Sequence, residues 1–160
     1  MEDETGRQYG LSVLASLSSK RAVVPILWFY EVGNGLLMAH RRKRITFDQI
    51  DGFLTRLKAL PIDAAQQVPT EILELPAIAQ KHSLTNYDAA HLALAMRFRS
   101  PLATTDAELR RAAAAAGVAM VPGYLDRQHP NWQHGLAQKP ELLKPERLLQ
   151  RWKIWQCAAS

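Results

Sequence analysis

The 160 residues are enough for one domain that buries its own apolar core, so neither disulfides nor a structural metal is required for folding. A hydrophobic fraction of 48% with 22% charged residues excludes a disordered or collagen-like chain. Twenty Lys and Arg against fifteen Asp and Glu leave a net charge of +5, which favours a polyanionic partner such as nucleic acid, and the single cysteine, Cys157, excludes an internal disulfide.

The longest strongly apolar stretches, Ala22–Tyr30 and Leu36–Ala39, fall far short of the ~20 residues that cross a bilayer. Met1-Glu2-Asp3-Glu4-Thr5 is acidic where an export signal is basic. The expectation is a cytoplasmic protein with no membrane partner.

In chain order, an amphipathic helix is predicted from about Asp3 to Leu17, with Leu11, Leu14, Ala15 and Leu17 on one stripe. Ala22-Val23-Val24-Pro25 reads as a short buried strand ended by proline. A second helix starts near Ile26 or Leu27 and carries Trp28, Glu31, Val32, Asn34 and Leu36 toward the basic run at Arg41. Thr46 and Gln49 have the spacing of a capping box for a third helix, with Ile45 and Ile50 as its hydrophobic staple and Ile50, Phe53, Leu54 and Leu57 as its apolar face. Leu60-Pro61-Ile62-Asp63 follows as a short edge strand, and a helical stretch from about Glu71 to His82 should be kinked or divided by Pro76. Leu84-Thr85 opens another helix, to about Phe98. A strand at Pro101–Thr104, an alanine-rich helix at Ala107–Ala116 ended by Gly117, and a last strand at Val118–Val121 complete the series. Helices alternating with short buried strands define the α/β class, a parallel sheet covered on both faces. Beyond Pro122 the periodicity lapses, so 122–140 is expected to be a linker. Over 141–155, Leu142, Leu143, Leu148, Leu149, Trp152 and Trp155 fit one side of an appended helix in the tail 141–160.

Three acids stand in distinctive settings. Glu31 lies in Trp28-Phe29-Tyr30-Glu31-Val32-Gly33-Asn34-Gly35-Leu36, Asp88 in Leu84-Thr85-Asn86-Tyr87-Asp88-Ala89-Ala90-His91, and Asp106 in Pro101-Leu102-Ala103-Thr104-Thr105-Asp106-Ala107-Glu108-Leu109. Asp106 falls where a strand gives way to a helix, at the carboxyl edge of the sheet where α/β proteins bind ligands. Each acid also has a purely structural reading. Thr85-x-x-Asp88 fits a capping box, Asp106 a plain N-cap, and Glu31 the exposed side of a half-buried helix.

Taken together, in this order and with Asp88 and Asp106 eighteen positions apart, the three segments resemble the PIN domain of VapC toxins. The resemblance covers roughly Asp3 to Val121. It implies a PIN-like parallel sheet flanked by helices and a Mg²⁺- or Mn²⁺-dependent endoribonuclease, the toxin of a type II toxin–antitoxin module. Glu31, Asp88 and Asp106 would be the catalytic carboxylates that bind the metal. Such ions take oxygen ligands, stabilise charge on an anionic phosphate and present a water as nucleophile. Asn34, three residues after Glu31 and on the same helix face, would line the site, and Thr104 would orient the last acid. A satisfied polar group at a helix or strand end is the alternative for both. The resemblance further implies an RNA substrate, a homodimer and a cognate VapB-like antitoxin that fills the groove.

A PIN domain opens with a hydrophobic strand ending in an aspartate, and nothing before the first helix corresponds to it. The expectation is therefore a PIN-like domain at 1–121 that lacks its first strand. Neighbouring strands would have unpaired backbone groups, and metal binding would be weakened by the loss of one carboxylate. An inactive remnant that still binds antitoxin or RNA is the alternative to a working nuclease.

Arg41-Arg42-Lys43-Arg44 is the densest basic run, placed between two helices to meet phosphates or, alternatively, to be a solvated loop. Arg97, Arg99, Arg110 and Arg111 extend a possible basic rim, and His91, one turn from Asp88, reads as packing or as a phosphate contact. His129, His134 and Cys157 lack the spacing of a zinc site.

Overall fold

The computed structural model describes residues 2–122 and 154–158. They group into two compact units. One holds α1 (Glu2–Ser16), the larger part of α2 (Ile26–Arg41) and α3 (Phe47–Lys58). The other holds strands β1 (Arg21–Val24), β2 (Ile62–Ala64), β3 (Leu102–Thr104) and β4 (Ile154–Ala158), together with α4 (Pro69–His82), α5 (Asn86–Phe98) and α6 (Ala107–Ala115).

In the helical unit, α1 buries Tyr9, Val13 and Leu14, followed by Leu17 just past its end, and α2 buries Val32 and Leu36. Helix α3 begins on the expected capping box. Thr46 Oγ1 accepts from the Gln49 N–H at 3.3 Å, and Gln49 Oε1 accepts from the Thr46 N–H at 2.9 Å, which satisfies two of the amides a helix start leaves without partners. Its buried stripe is Ile50, Phe53 and Leu57, with Leu54 half-buried at the edge.

In the sheet unit the strand order is β2-β1-β4-β3. β1 alternates exposed and buried residues and pairs in parallel with β2, Ala22 opposite Ile62 and Val24 opposite Ala64. A fork of two 2.9 Å bonds from Arg21 to Asp63 ties the two strands together at the surface. β3 is buried at all three positions. Between β1 and β3 runs β4, antiparallel to both, with Ala22 opposite Cys157 and Ala103 opposite Trp155. The α/β class and the parallel pair are as expected, but the unpaired backbone expected beside a missing first strand is not seen on β1 and β3, since both pair with β4.

Other boundaries also differ from expectation. Ile154 and Trp155, both within the expected appended helix 141–155 and Trp155 on its stripe, are the first two residues of β4; the rest of that expected helix and the linker after Pro122 lie outside the described residues. Val118–Val121 forms a single bridge, Met120 to Leu102, held by Leu102 N–H to Ala119 O at 2.8 Å and Val121 N–H to Leu102 O at 2.9 Å, and not a full strand. Pro76 does not divide α4, which runs unbroken from Pro69 to His82. Proline removes one helical bond, but Leu75 and Ala79 on either side are buried and α4 packs along α5, so tertiary burial holds the segment helical.

The core of this unit is Leu92 and Ala95 of α5, Leu102 of β3, and Leu109, Ala112 and Ala113 of α6, with Ile78, Leu84, Val118 and Met120 packed around them. Each fully buried leucine contributes on the order of 1.5–3 kcal/mol. The small residues Ala95, Ala112 and Ala113 let α5, α6 and β3 approach closely, so both helices and the strand share one packed cluster.

Candidate active site

Helix α4 ends at Ser83 in the left-handed region, φ 55°, and the Leu84 N–H returns to Ala79 O at 2.9 Å. This turn delivers Thr85 as the N-cap of α5. Thr85 Oγ1 accepts from the Asp88 N–H at 3.1 Å and donates its own proton to Asp88 Oδ2 at 2.7 Å. The Asp88 carboxylate is therefore held half-buried over the first turn, where the helix dipole favours negative charge. Further along, Ala89, Ala90, His91, Leu92, Leu94 and Ala95 are all buried. His91 is fully enclosed, which agrees with packing and removes it from contact with a substrate at the surface.

Asp106 follows β3 by two residues and caps α6. Its Oδ1 accepts from the N–H groups of Glu108 and Leu109, each at 3.0 Å. Thr104, fully buried, accepts the Asp106 main-chain N–H on its Oγ1 at 3.0 Å, so the hydroxyl sets the turn that carries the carboxylate. Arg110, one turn into α6, reaches back to Thr104 O with a 3.5 Å contact from Nη1, which leaves a cation beside the same strand end. Of the other cations in the expected rim, Arg97 is committed elsewhere: it donates to Glu71 at 2.9 Å and to Gln66 O at 3.0 Å.

The structure thus puts Asp88, Thr104 and Asp106 in one unit, Asp88 in the first turn of α5, Thr104 at the end of β3 and Asp106 as the N-cap of α6. Glu31 and Asn34 lie in the helical unit, both exposed on α2 and three residues apart, while Val32 and Leu36 take the buried side. Among the described residues no three His, Cys, Asp or Glu side chains form a cluster able to hold a metal ion. The hydroxyl-to-carboxylate bond of Thr85 was not expected from the sequence as part of the site. Its signal was there in Thr85-x-x-Asp88, which reads first as a cap.

Chemically, Asp88 and Asp106 are carboxylates at helix starts, where the dipole favours negative charge, and Asp106 also follows the end of strand β3. Residues 2–115 match the family model described as PIN domain. The chain belongs to the PIN-domain family. Within this PIN-domain chain, 84 residues are 36% identical to "Ribonuclease VapC3" of Pyrobaculum aerophilum, a match that covers 50% of this chain and 62% of that relative. The similarity therefore spans less than two thirds of the curated relative's length. No solved structure matches the chain. Among the described residues no helix is long and apolar enough to cross a membrane.

Proposed function

We propose that this PIN-domain chain is a VapC-like endoribonuclease, the toxin of a type II toxin–antitoxin module, that uses Mg²⁺ or Mn²⁺ at Asp88 and Asp106, with Glu31 as the further acid that the PIN resemblance assigns to the metal. The observation that carries the reading is the pair Asp88 and Asp106 within the family match, each set at a helix start by a threonine that fixes either the carboxylate or the turn beneath it. In donor type these acids suit such an ion, although among the described residues they form no cluster of three. The donors are all oxygen, and Mg²⁺ commonly keeps several waters and takes only one or two protein carboxylates. When bound, the ion would offset charge on the phosphodiester and lower the pKa of a bound water.

The chain's own residues have separable tasks. Thr85 fixes the rotamer of Asp88, Thr104 fixes the turn at Asp106, and Asn34 shares a face of α2 with Glu31. The partners that go with this reading are an RNA substrate, a VapB-like antitoxin and a second copy of the chain.

A second reading, binding of RNA or antitoxin without cleavage, is favoured by the bonds themselves. Capping accounts for both aspartates as helix-start residues with no metal required. Incubating the full chain with labelled single-stranded RNA in Mg²⁺, in Mn²⁺ and in EDTA separates the two. Cleavage that needs metal and disappears in Asp88→Asn and Asp106→Asn supports the nuclease. RNA that is bound but left whole in all three conditions supports the second reading.

A further inference from the structure

Helix α2 ends in four successive exposed cations, Arg41, Arg42, Lys43 and Arg44. The backbone that carries them is an ordered turn. Lys43 adopts a positive φ of 56°, its N–H bonds His40 O at 2.7 Å, and the Arg44 N–H bonds Ala39 O at 3.0 Å, closing the helix in the way a left-handed C-terminal residue does. A left-handed conformation costs a side-chain-bearing residue about 1 kcal/mol or more that glycine would avoid, a cost this chain also bears at Ser83 and Arg99. The helix dipole accounts for a cation in the last turn, such as Arg41, but its effect fades past the end, where Lys43 and Arg44 sit.

The turn is also braced from the side. His40 Nδ1 donates to Ile45 O at 3.0 Å, and the His40 ring meets the Phe47 ring edge-on with centroids 6.0 Å apart. Phe47 is nevertheless 58% exposed. A large aromatic ring held in one orientation and left open to solvent, next to four cations, has the two components with which proteins hold single-stranded nucleic acid: charge along the backbone and a ring on which a base stacks. The acids nearest in sequence, Asp48 and Asp51, are exposed on α3 and leave the segment 41–51 with four cations against two anions.

We propose that the turn Arg41–Arg44 with Phe47 is a binding platform for single-stranded RNA, tolerant of sequence and built from residues other than the acidic site. The choice of RNA among polyanions rests on the function proposed above; the platform itself rests on the turn.

The test reads binding, in EDTA and on the Asp106→Asn full chain, so that cleavage plays no part. A short fluorescein-labelled single-stranded oligouridylate is titrated over a range of salt concentrations. Replacing Arg42, Lys43 and Arg44 together by Gln should weaken binding at least roughly tenfold and flatten the log–log salt slope by about 2, since each phosphate contact on a single strand contributes ~0.7. Phe47→Leu should weaken binding about fivefold or more with the slope unchanged, because stacking releases no counterions. Arg42→Lys with Arg44→Lys should restore the slope and so separates charge from folding. Unchanged affinity and slope in the Gln variant overturn the proposal. An acidic peptide or anionic vesicles that compete as well as RNA would also overturn it, in favour of a general anion surface. Failure of the nuclease reading leaves this test intact, because no step of it depends on cleavage.

Discussion

Thr85 and Asp88 are bonded to each other twice, the threonine hydroxyl accepting the aspartate's main-chain N–H at 3.1 Å and donating to its carboxylate at 2.7 Å. One side chain therefore starts helix α5 and also fixes the rotamer of the acid that the PIN resemblance assigns to the site. Thr85→Val, which keeps the shape and removes the hydroxyl, should lower stability by about 1 kcal/mol in denaturant titration. It should also raise the Mn²⁺ concentration needed for half-maximal cleavage, whereas Thr85→Ser should restore both. A variant that loses stability but keeps the metal requirement would make Thr85 a cap and nothing more.

Asp106 allows the cap and the chemistry to be measured apart. Asn is as good an N-cap as Asp, so Asp106→Asn should keep the bonds to Glu108 and Leu109 and change stability by less than about 0.5 kcal/mol, while Asp106→Ala should cost about 1–2 kcal/mol. Cleavage and Mn²⁺ binding should be lost in both. Thermal melts beside RNA cleavage check it, and full activity in Asp106→Asn would remove Asp106 from the site.

Gly33 lies within α2 between Glu31 and Asn34, and a Cβ built there meets nothing within 4 Å. Gly33→Ala should stabilise the chain by roughly 0.5–1 kcal/mol, since it restricts the unfolded chain and adds no clash. A rise in the urea midpoint is the expected result; a fall would mean that space beside α2 is used by something else.

The central place of β4 makes a strong demand on the C-terminal segment. Gln156→Pro should remove pairing at the middle of the strand opposite Leu102, and hydrogen exchange should quicken at amides of β1 and β3, with about 1 kcal/mol lost for each bond broken. Unchanged exchange in β1 and β3 would show that the sheet holds together without β4.

Much of this molecule is written locally. The capping box of Thr46 and Gln49, the starts of α5 at Thr85 and α6 at Asp106, and the buried stripe Ile50, Phe53 and Leu57 each depend on residues within a turn or two of one another, so spacing along the chain reveals them. The three segments around Glu31, Asp88 and Asp106 were legible for the same reason, and they pointed to the PIN family that the match over 2–115 shows. Local pattern also pointed to the helix starts at Thr85 and Asp106. What it leaves open is whether acids on separate elements meet, because that depends on packing between residues far apart in sequence.

Three features were decided by tertiary structure. Of a kink or a division expected at Pro76, the division does not occur, because Leu75 and Ala79 are buried and the helix lies along α5. Val118–Val121 has the composition of a strand, but only Met120 bridges to Leu102. Trp155 fits a helical stripe and instead lies in β4, because backbone N–H and C=O groups on β1 and β3 offer a pairing that no side-chain period can announce. A helix satisfies its backbone within itself and so shows in its own sequence; a strand needs a distant partner, and only the folded chain reveals which one.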